Sequence, residues 1–226
     1  MYFFKYISIL TKRRFKIKIS VSLHLSCHPS CKGEGAYMER DLLLVIDMQN
    51  VYGSGGAWCC PKAETAAANI KRLIETCDGD LQVIFTRFLA SDEPYGAWAD
   101  YNRENAAINA DPKANEMMDI FKEDLNKYPL YTKSVYSSLK IPEIERAAKE
   151  APHVLLSGVV AECCVLSTAM ELIDLGAHVI YLKDAAAGLD EVNEKAVETV
   201  LSGLSPLHVE IMSCEDYKRR CKGGQA

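Results

Sequence analysis

Five apolar runs punctuate the chain: "LLLVID" (Leu42–Asp47), "LQVIFTRF" (Leu81–Phe88), "HVLLSGVV" (His153–Val160), "HVIYLKDAAAG" (His178–Gly188) and "LHVEIM" (Leu207–Met212). Each is too short for a helix and too continuously apolar for a strand with one wet face, so each reads as a strand buried on both sides. Between them lie stretches of helical character. "PKAETAAANIKRLIETC" opens with Pro61 and repeats Ala66, Ile70, Leu73 and Cys77 near helical spacing. "NEMMDIFKEDL", "PEIERAAKEA" from Pro142, "CVLSTAMELIDLG" stopped by Gly176, and "EVNEKAVETVLSGL" continue the alternation. "YPLYTK" adds a short strand ending at Lys133. Strands alternating with helices build βαβ units, so the fold class is α/β: a three-layer α/β/α sandwich, Rossmann-like, around a mostly parallel sheet. The stretch from about Leu89 to Lys113 is polar and aromatic with little period, and is expected to be a long functional or mobile loop.

The 226 residues, 49% apolar and 25% charged, suffice for one α/β domain with a sizeable core. The nine cysteines are odd in number and follow no regular framework, which favours free thiols in a reducing, cytoplasmic setting. No run of about 18 apolar residues is present, so no membrane span is expected. The charge is uneven. Met1 to Gly33 holds seven Lys or Arg and no acid, so against a net charge of −5 the remainder carries −12. An acidic body argues against nucleic acid as a partner. Residues 1–37 are expected to be a basic leader, disordered or translated from a misassigned start ahead of Met38, and dispensable for folding. Lysines and arginines interrupt every apolar stretch in it, unlike a signal peptide. Its "HLSCHPSC" offers His24, Cys27, His28 and Cys31, but Pro29 breaks the helix that would align them and no second cluster partners them, so zinc is disfavoured.

In open α/β sheets ligands gather at the C-terminal strand ends. Asp47, Lys133 and Cys164 fall there: Asp47 after the first strand, Lys133 after a middle one, and Cys164 in the first turn of the helix following "HVLLSGVV". A thiol becomes nucleophilic as thiolate, favoured by a cation and a helix N-terminus. Lys133 could supply the cation, Asp47 could accept the thiol proton, and backbone N–H groups at the helix start could hold an oxyanion. Such a set suits acyl transfer from an amide to water. Taken singly, each residue has a plainer reading: a buried cysteine as core filler, an aspartate as a turn residue, a lysine as a solvated charge.

"LLLVIDMQNVY", "YTKSVYSSL" and "SGVVAECCVLSTAMELIDLGAHVIYLKDAAAG" together resemble the isochorismatase-like cysteine hydrolases, over about Asp41 to Tyr217. The resemblance implies one hydrolase domain over 38–226 with Asp47, Lys133 and Cys164 as its catalytic set. The D-x-Q segment carries Asp47 and Gln49, and the K-x-x-Y-S segment carries Lys133, Tyr136 and Ser137. The pattern ending C-V, with Gly158 and Glu162 matching, selects Cys164 over Cys163. It further implies a non-proline cis peptide between Val159 and Val160, with the Val160 and Cys164 amides as the oxyanion hole. Glu162 reads as an acid near the helix N-cap that satisfies backbone donors, because a carboxylate touching Cys164 would raise its pKa.

The implied activity is hydrolysis of a C–N bond in a small amide or carbamoyl (ureido) compound through a thioester, with no cofactor and no metal, in a homo-oligomer. The nicotinamidase branch holds a metal with an Asp and two His, whereas no histidine lies here between His28 and His153. Phe88, Tyr95, Trp98, Tyr101 and Trp58 either line the pocket or cover the sheet edge. The substrate-binding residues are otherwise open. The rival functions are a non-catalytic binding or assembly homologue, a vinyl ether hydrolase of the isochorismate type, and a redox role for Cys59-Cys60 and Cys163-Cys164. Strain in disulfides between adjacent cysteines weighs against the last.

Overall fold

A computed structural model describes residues 40–77 and 79–223. The leader over 1–37, with its candidate zinc ligands His24, Cys27, His28 and Cys31, lies outside the described residues.

Six strands form one sheet: β1 (Asp41–Ile46), β2 (Leu81–Phe88), β3 (Leu130–Lys133), β4 (Val154–Val159), β5 (Val179–Ala187) and β6 (Val209–Met212). Their order is β3-β2-β1-β4-β5-β6, and every neighbouring pair is parallel. The chain winds outward from β1 to β3, then returns to lay β4 on the other side of β1. The crevice at the C-terminal ends of β1 and β4 is thus the topological switch point, where such sheets bind ligands.

The two faces of β1 show why its run is unbroken. Leu43 and Val45 enter one core, and Leu42, Leu44 and Ile46 enter the other. The first core is closed by α1 (Ala63–Thr76), whose Ala63, Ala66, Ala67, Ile70, Leu73 and Ile74 form a buried stripe at helical spacing. The second is closed by three helices, beginning at Pro142, Leu166 and Glu191. This is the expected α/β/α sandwich.

Two segments depart from the sequence reading. The stretch after β2, expected as a loop, forms three short helices: α2 (Ala97–Glu104), α3 (Ala106–Asn109) and α4 (Pro112–Asn115). None of their residues is buried, so they have no apolar stripe from which a period could be read. Ile108 of α3 and Ala114 of α4 rest half-buried on the first core, and local polar bonds hold the rest. Asp111 caps α4 through the Lys113 and Ala114 amides, and the Asn115 amide donates to the carbonyls of Ile108, Asn109 and Asp111. Conversely, "NEMMDIFKEDL", expected as a helix, forms two 3-10 turns, Asp119–Phe121 and Asp124–Asn126. Met117 bridges Gln49 in an antiparallel pair and Met118 is extended, which precludes a helix there. Buried Asp124 instead accepts from Lys71 at 2.8 Å.

The second half follows expectation. α5 (Pro142–Glu150) begins on its proline. α6 (Leu166–Leu175) ends at Gly176, whose φ of 87° is the left-handed conformation that closes a helix. α7 (Glu191–Ser202) is capped by Asp190, which accepts from the Asn193 amide. A last helix, α8 (Cys214–Gly223), lays Cys214 and Tyr217 against the α1 core.

Candidate active site

Asp47 lies 86 residues before Lys133 and Lys133 31 before Cys164, yet the three meet at the switch point. The Lys133 ammonium donates to Asp47 Oδ2 at 2.6 Å, to Cys164 Sγ at 3.2 Å and to the Val135 carbonyl at 3.1 Å. All three of its N–H bonds are thereby committed. The trio is closed from solvent, with exposures of 0% for Asp47, 4% for Lys133 and 3% for Cys164.

Backbone features place each member. Asp47 adopts φ 51° immediately after β1, a conformation that Asp tolerates better than most residues. Its other oxygen, Oδ1, accepts from the buried Thr86 hydroxyl at 2.7 Å, so the carboxylate is held from both sides. Lys133 is the last residue of β3 and its ammonium lies 5.7 Å from the Phe88 ring centroid. Gly158 brings the cysteine strand up to β1. Its φ is 104°, it pairs with Ile46, and a Cβ there would collide with the Ile46 backbone. After Gly158 the Val159–Val160 peptide is cis, as the resemblance implies. One π-helical turn, Ala161–Val165, then precedes α6 and carries Cys164, with the Val160 carbonyl accepting from both Cys163 and Val165. π-Turns recur at functional sites.

The electrostatics differ from the sequence reading at one point. Burial and then Asp47 push the Cys164 thiol well above the ordinary value of 9.0, and Lys133 only partly offsets them. Burial and Asp47 thus favour the protonated form of the thiol more than Lys133 favours the thiolate. Burial alone would lower the Lys133 pKa, but Asp47 and Cys164 outweigh it and the net shift is upward, which keeps the ammonium charged.

Glu162 also differs. It lies in the first turn, as expected, but it does not cap its own helix. Oε1 accepts from the Leu189 amide of the loop after β5 at 3.1 Å, and Oε2 is buried without a partner. That loop comes close enough that a Cβ at Gly188 would strike Oε2.

The aromatics largely converge on the site. Trp98 packs against Tyr101, Tyr136 and Phe88 at 5.3, 4.9 and 6.0 Å between centroids. Trp58 packs against Tyr52 and Tyr101 at 5.8 and 6.2 Å. Tyr95 is the exception, 90% exposed and outside this network. Tyr52, Thr86 and the ring of Tyr136 were not singled out from sequence as site-forming. Gln49, matched only by motif, fastens the arm of short helices to the site: its amide N–H groups reach the Phe88 and Asn115 carbonyls and its carbonyl accepts from the Phe88 amide.

Among the described residues no group of three or more His, Cys, Asp or Glu is placed to hold a metal ion. The described residues do not assemble an Asp-and-two-His metal centre. Among the described residues no helix is long and apolar enough to cross a membrane.

A doubly wound α/β domain with a buried Asp–Lys–Cys cluster at its switch point defines a narrow class. The isochorismatase domain model matches residues 41–216, and the chain belongs to that family. Solved structures share the fold. An isochorismatase-like hydrolase from Alkaliphilus metalliredigens is 21% identical with a TM-score of 0.62, covering 80% of this chain and 98% of its own. A cysteine hydrolase from Pseudomonas syringae pv. phaseolicola is 19% identical with a TM-score of 0.69, covering 81% and 93%. A pyrazinamidase/nicotinamidase from Streptococcus mutans is 21% identical with a TM-score of 0.60, covering 76% and 99%. No curated protein matches the sequence.

Proposed function

We propose that the protein is a cysteine hydrolase that cleaves the C–N bond of a small amide or carbamoyl compound through a thioester, without a metal. The observation that carries this reading is the Lys133 ammonium bridging Asp47 and Cys164 in a buried cluster. Asp47 takes the thiol proton as Sγ attacks the carbonyl carbon, which suits a resting thiol better than a free thiolate. The Val160 and Cys164 amides hold the oxyanion. Asp47 returns the proton to the departing nitrogen, the C–N bond breaks, and the thioester remains on Cys164. Water, deprotonated by Asp47, then attacks the thioester and releases the acid and the thiol. Lys133 stabilises negative charge as it passes between Asp47 and Sγ.

Two structural neighbours, a cysteine hydrolase and a pyrazinamidase/nicotinamidase, support this chemistry. The vinyl ether alternative needs no cysteine. The closure of the site, with Cys164 only 3% exposed, favours a second reading as a binding or assembly homologue. Ammonia release across ureido acids, carbamoyl amines, biuret and aromatic carboxamides separates them: release from at least one supports hydrolysis, and release from none supports the binding module. A cytoplasmic homo-oligomer acting on a small molecule completes the proposal, and light scattering tests the assembly.

A further inference from the structure

We propose that Thr168 is a positioning residue of the reaction: its hydroxyl clamps the segment that carries Lys133 to the turn that carries Cys164, and so sets the ammonium–thiol contact. The inference rests on the hydrolase reading and adds to it a residue that touches none of the reacting atoms.

The sheet itself does not pair the two elements. In the order β3-β2-β1-β4 the strands leading to Lys133 and Cys164 stand three places apart, about 14 Å at the usual spacing of ~4.8 Å. β3 is also an edge strand of four residues. The 3.2 Å from the Lys133 ammonium to Sγ is fixed instead by the chain that follows each strand. The Ser138 amide donates to Thr168 Oγ1 at 3.0 Å, and Thr168 Oγ1 donates to the Cys164 carbonyl at 2.7 Å. One oxygen thus joins the segment just beyond Lys133 to the peptide of the nucleophile. Lys133 leans on that same segment, since its third bond goes to the Val135 carbonyl.

A threonine hydroxyl bonded to the carbonyl one turn back is an ordinary helix feature, and alone it would carry no weight. The bond from Ser138 is of another kind. It crosses 30 residues, and both partners are fully buried. A buried amide that loses its acceptor is costly, so the segment would shift rather than leave it unpaired. A second grip lies one turn further along the same face of α6, where Glu171 accepts from the Ser137 hydroxyl and from Lys140. Glu171 is partly exposed, so Thr168 is the inner grip and Glu171 the outer one.

Burial and Asp47 hold the proton on Cys164, and Lys133 opposes them. A segment released from Thr168 carries its ammonium away from Sγ and leaves the other two effects unopposed. Tyr52 and Tyr101, also within electrostatic reach of Cys164, stand on other elements. Tyr136 rides on this segment, and burial raises its pKa, which keeps the phenol neutral. The change in charge felt at Sγ is therefore that of Lys133.

The test alkylates the full chain at pH 8 with iodoacetamide and with iodoacetate, and reads Cys164 and Cys163 separately by mass spectrometry. Both reagents react with the thiolate and are nearly the same size, so their rate ratio reports positive charge beside the sulfur rather than access. Thr168→Val keeps the branched shape and loses the hydroxyl. It should lower the iodoacetate-to-iodoacetamide ratio at Cys164 about threefold or more and leave the ratio at Cys163 unchanged, and Thr168→Ser should restore the wild-type value. For any amide that the wild-type protein hydrolyses, kcat should fall about tenfold or more in Thr168→Val with KM within about threefold. An unchanged Cys164 ratio in folded Thr168→Val overturns the inference. So does faster alkylation of both cysteines at an unchanged ratio, which marks a structural role alone. If Thr168→Val does not fold, Glu171→Ala decides through the outer grip: a Cys164 ratio lowered about twofold supports the clamp, and an unchanged one overturns it. Alkylation needs no turnover, so absence of ammonia from every amide overturns the hydrolase reading while the ratio still decides the clamp. No alkylation of Cys164 by either reagent overturns both, since iodoacetamide is itself a small amide.

Discussion

The strand-end cluster and the helical arm that covers it are built on opposite principles. Asp47, Lys133 and Cys164 stand at the ends of strands whose side chains fill two cores, and none is more than 4% exposed. The arm of α2, α3 and α4 buries no residue and is held by asparagine amides, an aspartate cap and ring contacts. Reacting groups need a fixed geometry, which a packed sheet supplies. A cover that admits substrate must open, and segments with few buried contacts open at low cost. The difference separates a rigid candidate reaction centre from a cover that can adapt.

The sharpest blow to the reaction centre is Cys164→Ala. It should lower turnover about ten-thousand-fold or more, because groups that act as a unit lose nearly everything when the nucleophile is removed. Cys163→Ala should leave turnover within about threefold, since Cys163 packs half-buried against the α1 core and has no bond to Lys133 or Asp47 among those formed there. Steady-state ammonia release decides between them, and activity that survives Cys164→Ala would put the nucleophile elsewhere.

Next comes the joint that holds two strand ends together. Gly158→Ala adds a methyl against the Ile46 backbone at a φ of 104°, where neither strand can yield without moving Asp47 or Cys164. A loss of about 3 kcal/mol or more is expected, seen as a drop in Tm of roughly 6 to 12 °C for a domain of this size. Gly96→Ala, at a φ of 58° on the arm with nothing near its Cβ, should cost clearly less. Equal losses would break the comparison.

The same contrast governs what could be read from residues alone. β1, β4, α1 and α6 were legible because burial writes a period: two-sided strands become unbroken apolar runs and covering helices carry stripes. The trio could be proposed from residues alone because strand ends in this topology collect ligands and the family motifs favour Cys164 over Cys163, and the structure brings the three side chains together. The arm was illegible for the physical reason that makes it a cover, since helices without buried residues carry no period. Thr86 was hidden inside a strand as an ordinary β-branched residue, and only the fold places its hydroxyl on Asp47. The thiol's upward shift was hidden too, because a sequence shows Lys133 as a cation but not the burial that outweighs it.

A smaller effect should appear in alkali. Cys60, at about 12 from an ordinary 9.0 mainly through burial, and Cys164 both hold their protons longer when folded, and Tyr101 and Lys133 are shifted the same way. Above about pH 9 the unfolded chain releases these protons first, so the folded state binds more of them and stability falls as pH rises. Tm should therefore decline steadily from about pH 9 towards 11. Cys60→Ala and Cys164→Ala should each flatten that decline. A Tm that rises over this range would contradict the burial of these groups.

The smallest effect lies in the arm, and it tests whether cover and core are separable. Trp98 touches Phe88, Tyr101 and Tyr136, whereas Tyr95, three residues earlier, is 90% exposed and outside the network. Trp98→Ala removes three ring contacts and should release the arm locally by about 1.5 to 4.5 kcal/mol, with ring pairs worth about 0.5 to 1.5 kcal/mol each. Because α2 contributes nothing to either core, that loss should not pass to the sheet. Hydrogen exchange should quicken over residues 97–115 and stay unchanged over β1 and β4, with Tm shifted by less than about 2 °C. Tyr95→Ala should change neither. If exchange in β1 and β4 quickens together with the arm in Trp98→Ala, the cover is part of one cooperative unit with the reaction centre, and substrate entry would require more than the opening of three short helices.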